Sequence, residues 1–317
     1  MRYLSELIEK KEQITMEKES FFIENSTNLP GKKRLNLLAL GDVGSTLLMG
    51  LRLMGGDILA SIGICDISNK VEKRFEMEIN QIMMPFAPDA FPKVHIAEDL
   101  FDCDVFVFCA SKGVPPVAQT DGDVRMVQFA ANKELISLYA KKALAANFTG
   151  KFYVVSDPVD PLCQAAVNAG LSPQQVRGYG LGVMNARAAY FSEEKSLFKT
   201  EGRVFGPHGE DLVVANSLKN YDQEESMRLT ELTIRSNLKT RELGFKPYIA
   251  PAMSSGAISI LENLRGNWHY SSLSFGSAFL GVKNRIDKGR DQVENLPLPN
   301  NLFSRIETAY EHLKKIV

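Results

Sequence analysis

The sequence predicts an α/β fold in which a doubly wound parallel sheet is followed by an α+β half. Three observations lead there. Short, wholly apolar runs recur through the first half of the chain. Segments of helical character separate them. A glycine-bearing turn joins the first clear run to the first clear helix, as in alternating strand–helix folds. The 317 residues are enough for two ordinary domains.

Taken in order, residues 1–33 form an N-terminal extension. Leu4, Leu7, Ile8 and Ile14 recur there at roughly helical spacing among Lys and Glu, which predicts an amphipathic helix. Such a helix is either solvated with one packed stripe or an arm that clasps another subunit. Asn28, Pro30 and Gly31 then signal a loop. Leu35 to Leu40 (LNLLAL) suits a strand buried on both faces. A turn at Gly41 to Gly44 and a helix from Ser45 to Met54 follow. Ser61 to Cys65 (SIGIC), Val105 to Cys109 (VFVFC) and Phe152 to Ser156 (FYVVS) are further strands, with a long helix from about Val124 to Ala146 before the last. Beyond Pro158 the pattern changes to helices alternating with shorter strands such as Asp211 to Val214 (DLVV), closing on a helix over Phe303 to Val317. The division therefore falls into 1–33, 34–158 and 159–317.

Composition narrows the function classes. A formal net charge of -1 supplies no basic field for nucleic acid or an acidic membrane. No run reaches the roughly eighteen apolar residues of a membrane span; the best window, Leu35 to Met54, is broken by Asp42 and Arg52. The N-terminus lacks a hydrophobic signal core. Cys65, Cys103, Cys109 and Cys163 have no CxxC spacing and read as reduced thiols of a cytoplasmic protein. No pair of histidines or carboxylates has metal-ligand spacing, so no metal is expected.

The turn Ala39-Leu40-Gly41-Asp42-Val43-Gly44-Ser45 takes its meaning from its place between strand and helix. Gly41 lets the backbone approach a pyrophosphate, and Gly44 lets helix pack on strand. The helix N-terminus, with Asp42 and Val43, presents N–H groups and partial positive charge. The first glycine of the usual fingerprint is Ala39 here, which predicts a negative φ at that residue. Asp66 ends the second strand, twenty-two residues past Gly44. A carboxylate there accepts hydrogen bonds from both adenosine ribose hydroxyls and repels a 2′-phosphate, favouring NAD over NADP. The first half is thus expected to be a Rossmann-type domain with NAD as cofactor.

Four histidines are candidates for proton transfer: His95, His208, His269 and His312. His208, in the loop Gly206-Pro207-His208-Gly209, is best placed to exchange a proton near neutral pH. His95 falls in a predicted strand and His312 on the terminal helix. Arg125 follows a polar stretch (Gln119 to Val124) that reads as a loop, and Arg187 lies in Val183-Met184-Asn185-Ala186-Arg187. Either guanidinium suits a bidentate clamp on a carboxylate.

Set in order along the chain, these motifs resemble the lactate/malate dehydrogenase family from about Leu35 to the C-terminus. The glycine turn and Asp66 match its NAD site. VFVFC with Ala110-Ser111 is similar to the strand before its mobile loop. Arg125 with Asn132 matches the loop arginine and its downstream asparagine, Arg187 the substrate arginine, and His208 with Ser217 the catalytic histidine segment. Phe279-Leu280-Gly281-Val282 and Leu296-Pro297-Leu298 are similar to the tail. The resemblance implies a cofactor domain over 34–158 and a substrate domain over 159–317. It places Ala110, Ser111 and Ser156 against NAD, Arg187 on the carboxylate of a small 2-hydroxy or 2-oxo acid, Arg125 on its carbonyl, and His208 as the proton carrier. It also implies a homodimer or homotetramer.

The chain departs from the family at three points. Met184 stands where the family has the aspartate that orients its histidine, so another acid from elsewhere is needed or catalysis is lost. Asp157 replaces an asparagine that donates to substrate, which suggests a role in specificity and a substrate bearing an amine. The mobile loop is longer than usual and puts a neutral Gln119 at the position that tells lactate from malate, disfavouring a dicarboxylate. The alternative to a dehydrogenase is a non-catalytic NAD-binding protein.

Overall fold

The computed structural model describes residues 1–9, 12–23, 31–112, 124–194 and 196–316; the side chains of 124–128 lie outside that description. A 3₁₀ turn at Leu4–Leu7 and strands β1 (Ile14–Met16) and β2 (Ser20–Ile23) come first. Then follow β3 (Lys33–Leu38), α1 (Asp42–Met54), β4 (Leu59–Cys65), α2 (Asn69–Asn80), β5 (Lys93–Ile96), β6 (Val105–Phe108), α3 (Val124–Ala145), β7 (Lys151–Val154), α4 (Val159–Asn168) and β8 (Val176–Gly178). The remainder is α5 (Leu181–Phe191), α6 (Phe198–Glu201), β9 (Arg203–Phe205), β10 (Val213–Ala215) and α7 (Gln223–Glu242), then a π-helical stretch (Pro251–Ile258), α8 (Ser259–Leu264), β11 (His269–Ser274), β12 (Phe279–Asp287), β13 (Arg290–Glu294) and α9 (Asn300–Ile316).

The order β8-β7-β6-β3-β4-β5, all parallel, is that of a doubly wound dinucleotide-binding sheet. Its winding reverses between β3 and β6. Alternation along the strands covers both faces: Leu35, Leu37, Val105 and Val107 pack with α1, α8 and the π-helical stretch, while Leu38, Phe106 and Phe108 pack with α3 and α4. This is why LNLLAL and VFVFC read as unbroken apolar runs. Past β8 the sheet continues antiparallel through β11, β12, β13, β2 and β1 to eleven strands.

The second half carries a buried ionic cluster among its described residues. Arg177 (3% exposed) pairs with Asp291 (4% exposed) and donates to Asn284 Oδ1 and Ser271 Oγ. Burial, seconded by the Arg177 charge, pushes His269 beside it down to about 3.

Two expectations are corrected. The N-terminal amphipathic helix is only the single turn Leu4–Leu7, followed by two strands. Leu4, Leu7, Phe21 and Ile23 are buried against Phe303, Ile306 and Tyr310 of α9, so the helical spacing served one docked turn and the rest was claimed by the sheet edge. The DLVV strand begins two residues later, at Val213.

Candidate functional site

The carboxyl ends of β3, β4, β6 and β7 form one rim at the point of winding reversal, where open α/β sheets hold ligands. The turn 39–44 leaves β3, Asp66 follows β4, Ala110 and Ser111 follow β6, and Ser156 and Asp157 follow β7.

Gly41 caps α1, and a Cβ added there meets nothing within 4 Å. At Gly44 an added Cβ would lie 1.9 Å from the Ala39 carbonyl oxygen. The turn is thus open where a pyrophosphate would rest and tight where helix meets strand. Ala39 sits at φ 76, against the expected negative value. The turn needs the left-handed conformation there, and Ala adopts it despite its Cβ. Asp66 Oδ2 accepts from the Leu40 N–H (2.8 Å) and Oδ1 from the Ser68 N–H (3.1 Å). One bond to each oxygen fixes the carboxylate and leaves lone pairs for ribose hydroxyls. These residues fit an NAD-type dinucleotide. Lys246 pairs with Asp42 at 2.9 Å beside the same helix end. It comes from a segment 204 residues away, with nothing in its local sequence to announce it.

Partly buried hydrogen bonds tie the ends of β6 and β7 together. Ser156 Oγ donates to the Ala110 carbonyl at 2.8 Å. Asn132 on α3, fully buried, donates to the Asp157 carbonyl (2.9 Å) and to Ser111 Oγ (3.2 Å), and accepts from the Lys112 N–H (2.7 Å).

His208 lies in the loop between β9 and β10, 7% exposed. Its Nδ1 is 3.0 Å from Asp157 Oδ1. Its N–H donates to Asp160 Oδ2 (3.3 Å) in the first turn of α4. A Cβ on Gly180 would come within 2.7 Å of His208 Cβ, so the start of α5 abuts the histidine only because it is glycine. Burial pushes the Asp160 carboxyl up to about 6, raised further by Asp157 and opposed by hydrogen bonds from Ser272 and the His208 N–H. Sequence reasoning missed Asp160; its one signal was a second acid three residues past Asp157, at a helix start.

Arg187 is 7% exposed on α5, seven residues beyond Gly180. It donates to Asn237 Oδ1 on α7, and to Met184 Sδ at 3.7 Å. Met184 is fully buried among Leu181, Val183, Ala188 and Val214. The structure thus brings His208, Asp157 and Asp160 into contact, with Asn132 linking Asp157 to Ser111. Arg187, on α5, is tied to Asn237 of α7. Arg125 lies in the first turn of α3, its side chain outside the described residues, as is Gln119 altogether. His95 is on β5, and His312 bonds Asp211 at 3.0 Å on the surface. No helix among the described residues is long and apolar enough to cross a membrane.

Residues 29–178 match the family model for the NAD-binding domain of lactate/malate dehydrogenase. The chain is similar to an L-lactate dehydrogenase of Mesomycoplasma hyopneumoniae (strain 232), 27% identical over 262 residues covering 80% of this chain and 77% of that protein. For the strain 7448 enzyme the match spans 58% of each. Among solved structures, a lactate dehydrogenase from a Medee basin deep-sea metagenome library superposes with a TM-score of 0.73 at 17% identity, over 90% of this chain and 98% of that one. Malate dehydrogenase from Archaeoglobus fulgidus, solved in complex with NADH, gives 0.69 at 18% identity, over 89% and 98%.

Proposed function

Starting from a chain that belongs to the lactate/malate dehydrogenase family, we propose that it is an NAD-dependent oxidoreductase acting on a small 2-hydroxy or 2-oxo acid. The observation that carries the reading is a buried histidine, His208, with a carboxylate on Nδ1, at the sheet rim that also holds the dinucleotide turn.

The residues divide the work as follows. Gly41, Gly44 and the first N–H groups of α1 hold the pyrophosphate, and Asp66 holds the ribose. Bound nicotinamide supplies the redox chemistry. Arg187, kept in place by Asn237, pairs with the substrate carboxylate. We assign polarisation of the substrate carbonyl to Arg125. His208, with Nδ1 engaged by Asp157, is the group we assign to proton exchange with the substrate oxygen. A neutral Gln119 disfavours a second carboxylate on the substrate. We take 34–158 as the cofactor domain and 159–317 as the substrate domain of a cytoplasmic homodimer or homotetramer. Assembly would cover exposed apolar side chains such as Phe86, Leu243 and Phe245.

The test is NADH consumption, followed by absorbance, across a panel of 2-oxo mono- and dicarboxylic acids. We expect turnover with a monocarboxylate, and loss by a factor on the order of 10³ or more in His208→Ala. NADH binding without turnover on any acid in the panel would replace this reading with a non-catalytic NAD-binding protein.

A further inference from the structure

The helix that carries Arg187 offers no acid to His208. Its one residue positioned for that role in the resemblance, Met184, is fully buried in an apolar cluster. The acid on the imidazole instead comes from the end of β7, 51 residues before His208. We propose that Asp157 is the positioning residue of His208, fixing its tautomer and stabilising its protonated form. This rests on the dehydrogenase reading above.

Three features suit Asp157 to that work. An ionised carboxylate only accepts hydrogen bonds, so at 3.0 Å it requires His208 Nδ1 to carry the proton and leaves the proton off Nε2, which is buried in this structure. Asp157 immediately precedes Pro158, the N-cap of α4, where the partial positive charge of the helix end favours the ionised acid. Its backbone is pinned through the hydrogen bond from the buried Asn132 to its carbonyl. The histidine is equally constrained, by Asp160 on its N–H and by the bare Cα of Gly180 behind it.

The position also changes the electrostatics of the site. The Asp157 side chain is 40% exposed whereas that of His208 is 5% exposed, so this acid approaches the ring from the open side of the site. Asp157 from the β7 end and Asp160 from α4 both contact His208, Gly180 just before α5 lies behind it, and Ser272 of β11 reaches it through Asp160.

The test is Asp157→Asn, which keeps the shape and removes the charge. NADH affinity should stay within twofold. In the wrong tautomer the enzyme should lose a factor on the order of 10³–10⁴ in kcat, with KM changed far less. The histidine limb of the kcat/KM profile should move to lower pH by about one unit, because an opposite charge has been taken from the imidazolium. Adding Met184→Asp should restore at least tenfold of the lost kcat if an acid on either side of the ring suffices. Should that buried substitution unfold the protein, ¹⁵N spectra of the His208 ring decide independently. Nδ1 should be protonated in the wild type at pH 8 and lose that preference in Asp157→Asn. A variant with more than a third of wild-type kcat, an unmoved pH profile and an unchanged ring tautomer overturns the proposal while leaving the dehydrogenase reading intact. If the wild type turns over nothing, that reading fails, and the ring spectra still judge the Asp157–His208 pair.

Discussion

Gly44→Ala tests the dinucleotide cradle at its tightest point. The added methyl would sit 1.9 Å from the Ala39 carbonyl oxygen, 3.0 Å from its carbon and 3.6 Å from Cys109 Cβ. Bringing the first contact out to 3.0 Å requires α1 or the turn to shift by more than an ångström. The turn has little slack, since Ala39 already occupies the left-handed region at φ 76, a conformation worth about 1–2 kcal/mol of strain outside glycine. Overpacking of this kind destabilises a fold by about 1–3 kcal/mol. A larger effect is expected on the ligand, because the shift carries the first N–H groups of α1 away from the pyrophosphate. Losing one charge-assisted hydrogen bond is worth about 1.5–3 kcal/mol, which converts to roughly a tenfold to hundredfold rise in Kd. NADH fluorescence titration reads the affinity, and thermal unfolding of the unliganded variant reads the fold. A variant that binds NADH within twofold of wild type would show that the turn is not the cradle.

Two further substitutions probe buried charge. In Asp160→Asn the carboxyl held at about 6 in the fold against 3.8 unfolded is removed. A raised acid binds its proton more tightly in the fold, so its stabilising contribution is present below the unfolded value and is lost as pH rises through about 6. The variant should therefore gain about 1–3 kcal/mol at pH 8 and nothing at pH 4 by urea unfolding; parallel stability curves at the two pH values would refute this. Asp291→Ala strands the Arg177 guanidinium at 3% exposure and should destabilise by about 3–5 kcal/mol, a loss below 1 kcal/mol in the same assay counting against the pair.

The cofactor half was readable in the sequence because its signals are local. LNLLAL, the glycine turn and Asp66 lie within one strand–helix–strand unit, and each occupies its expected place at the sheet rim. The catalytic half depends on side chains brought together from afar. The sequence assigns Asp157 a role in specificity; that its carboxylate also lies on His208 is an arrangement no spacing within Ser156-Asp157-Pro158 encodes. Lys246 on Asp42 and Asn237 on Arg187 are equally invisible to local pattern. At the N-terminus, the spacing of Leu4, Leu7 and Ile8 was real but answered to a partner surface on α9. Ala39 shows the reverse case: an apparently innocent Gly-to-Ala exchange conceals a residue in the left-handed region.

The outer strand β2 has a consequence for how the chain is made. Phe21, Phe22 and Ile23 pair with β13, and Gln292 Nε2 reaches Ser20 Oγ across 272 residues of sequence. At translation rates of roughly 5–20 residues per second, that partner is synthesised about 14 to 54 seconds after Ser20. Throughout this interval β2 has only its local partner β1 and its other edge is unpaired, the condition in which an open edge recruits the wrong neighbour. This edge of the sheet is therefore completed late, after nearly the whole chain has been made.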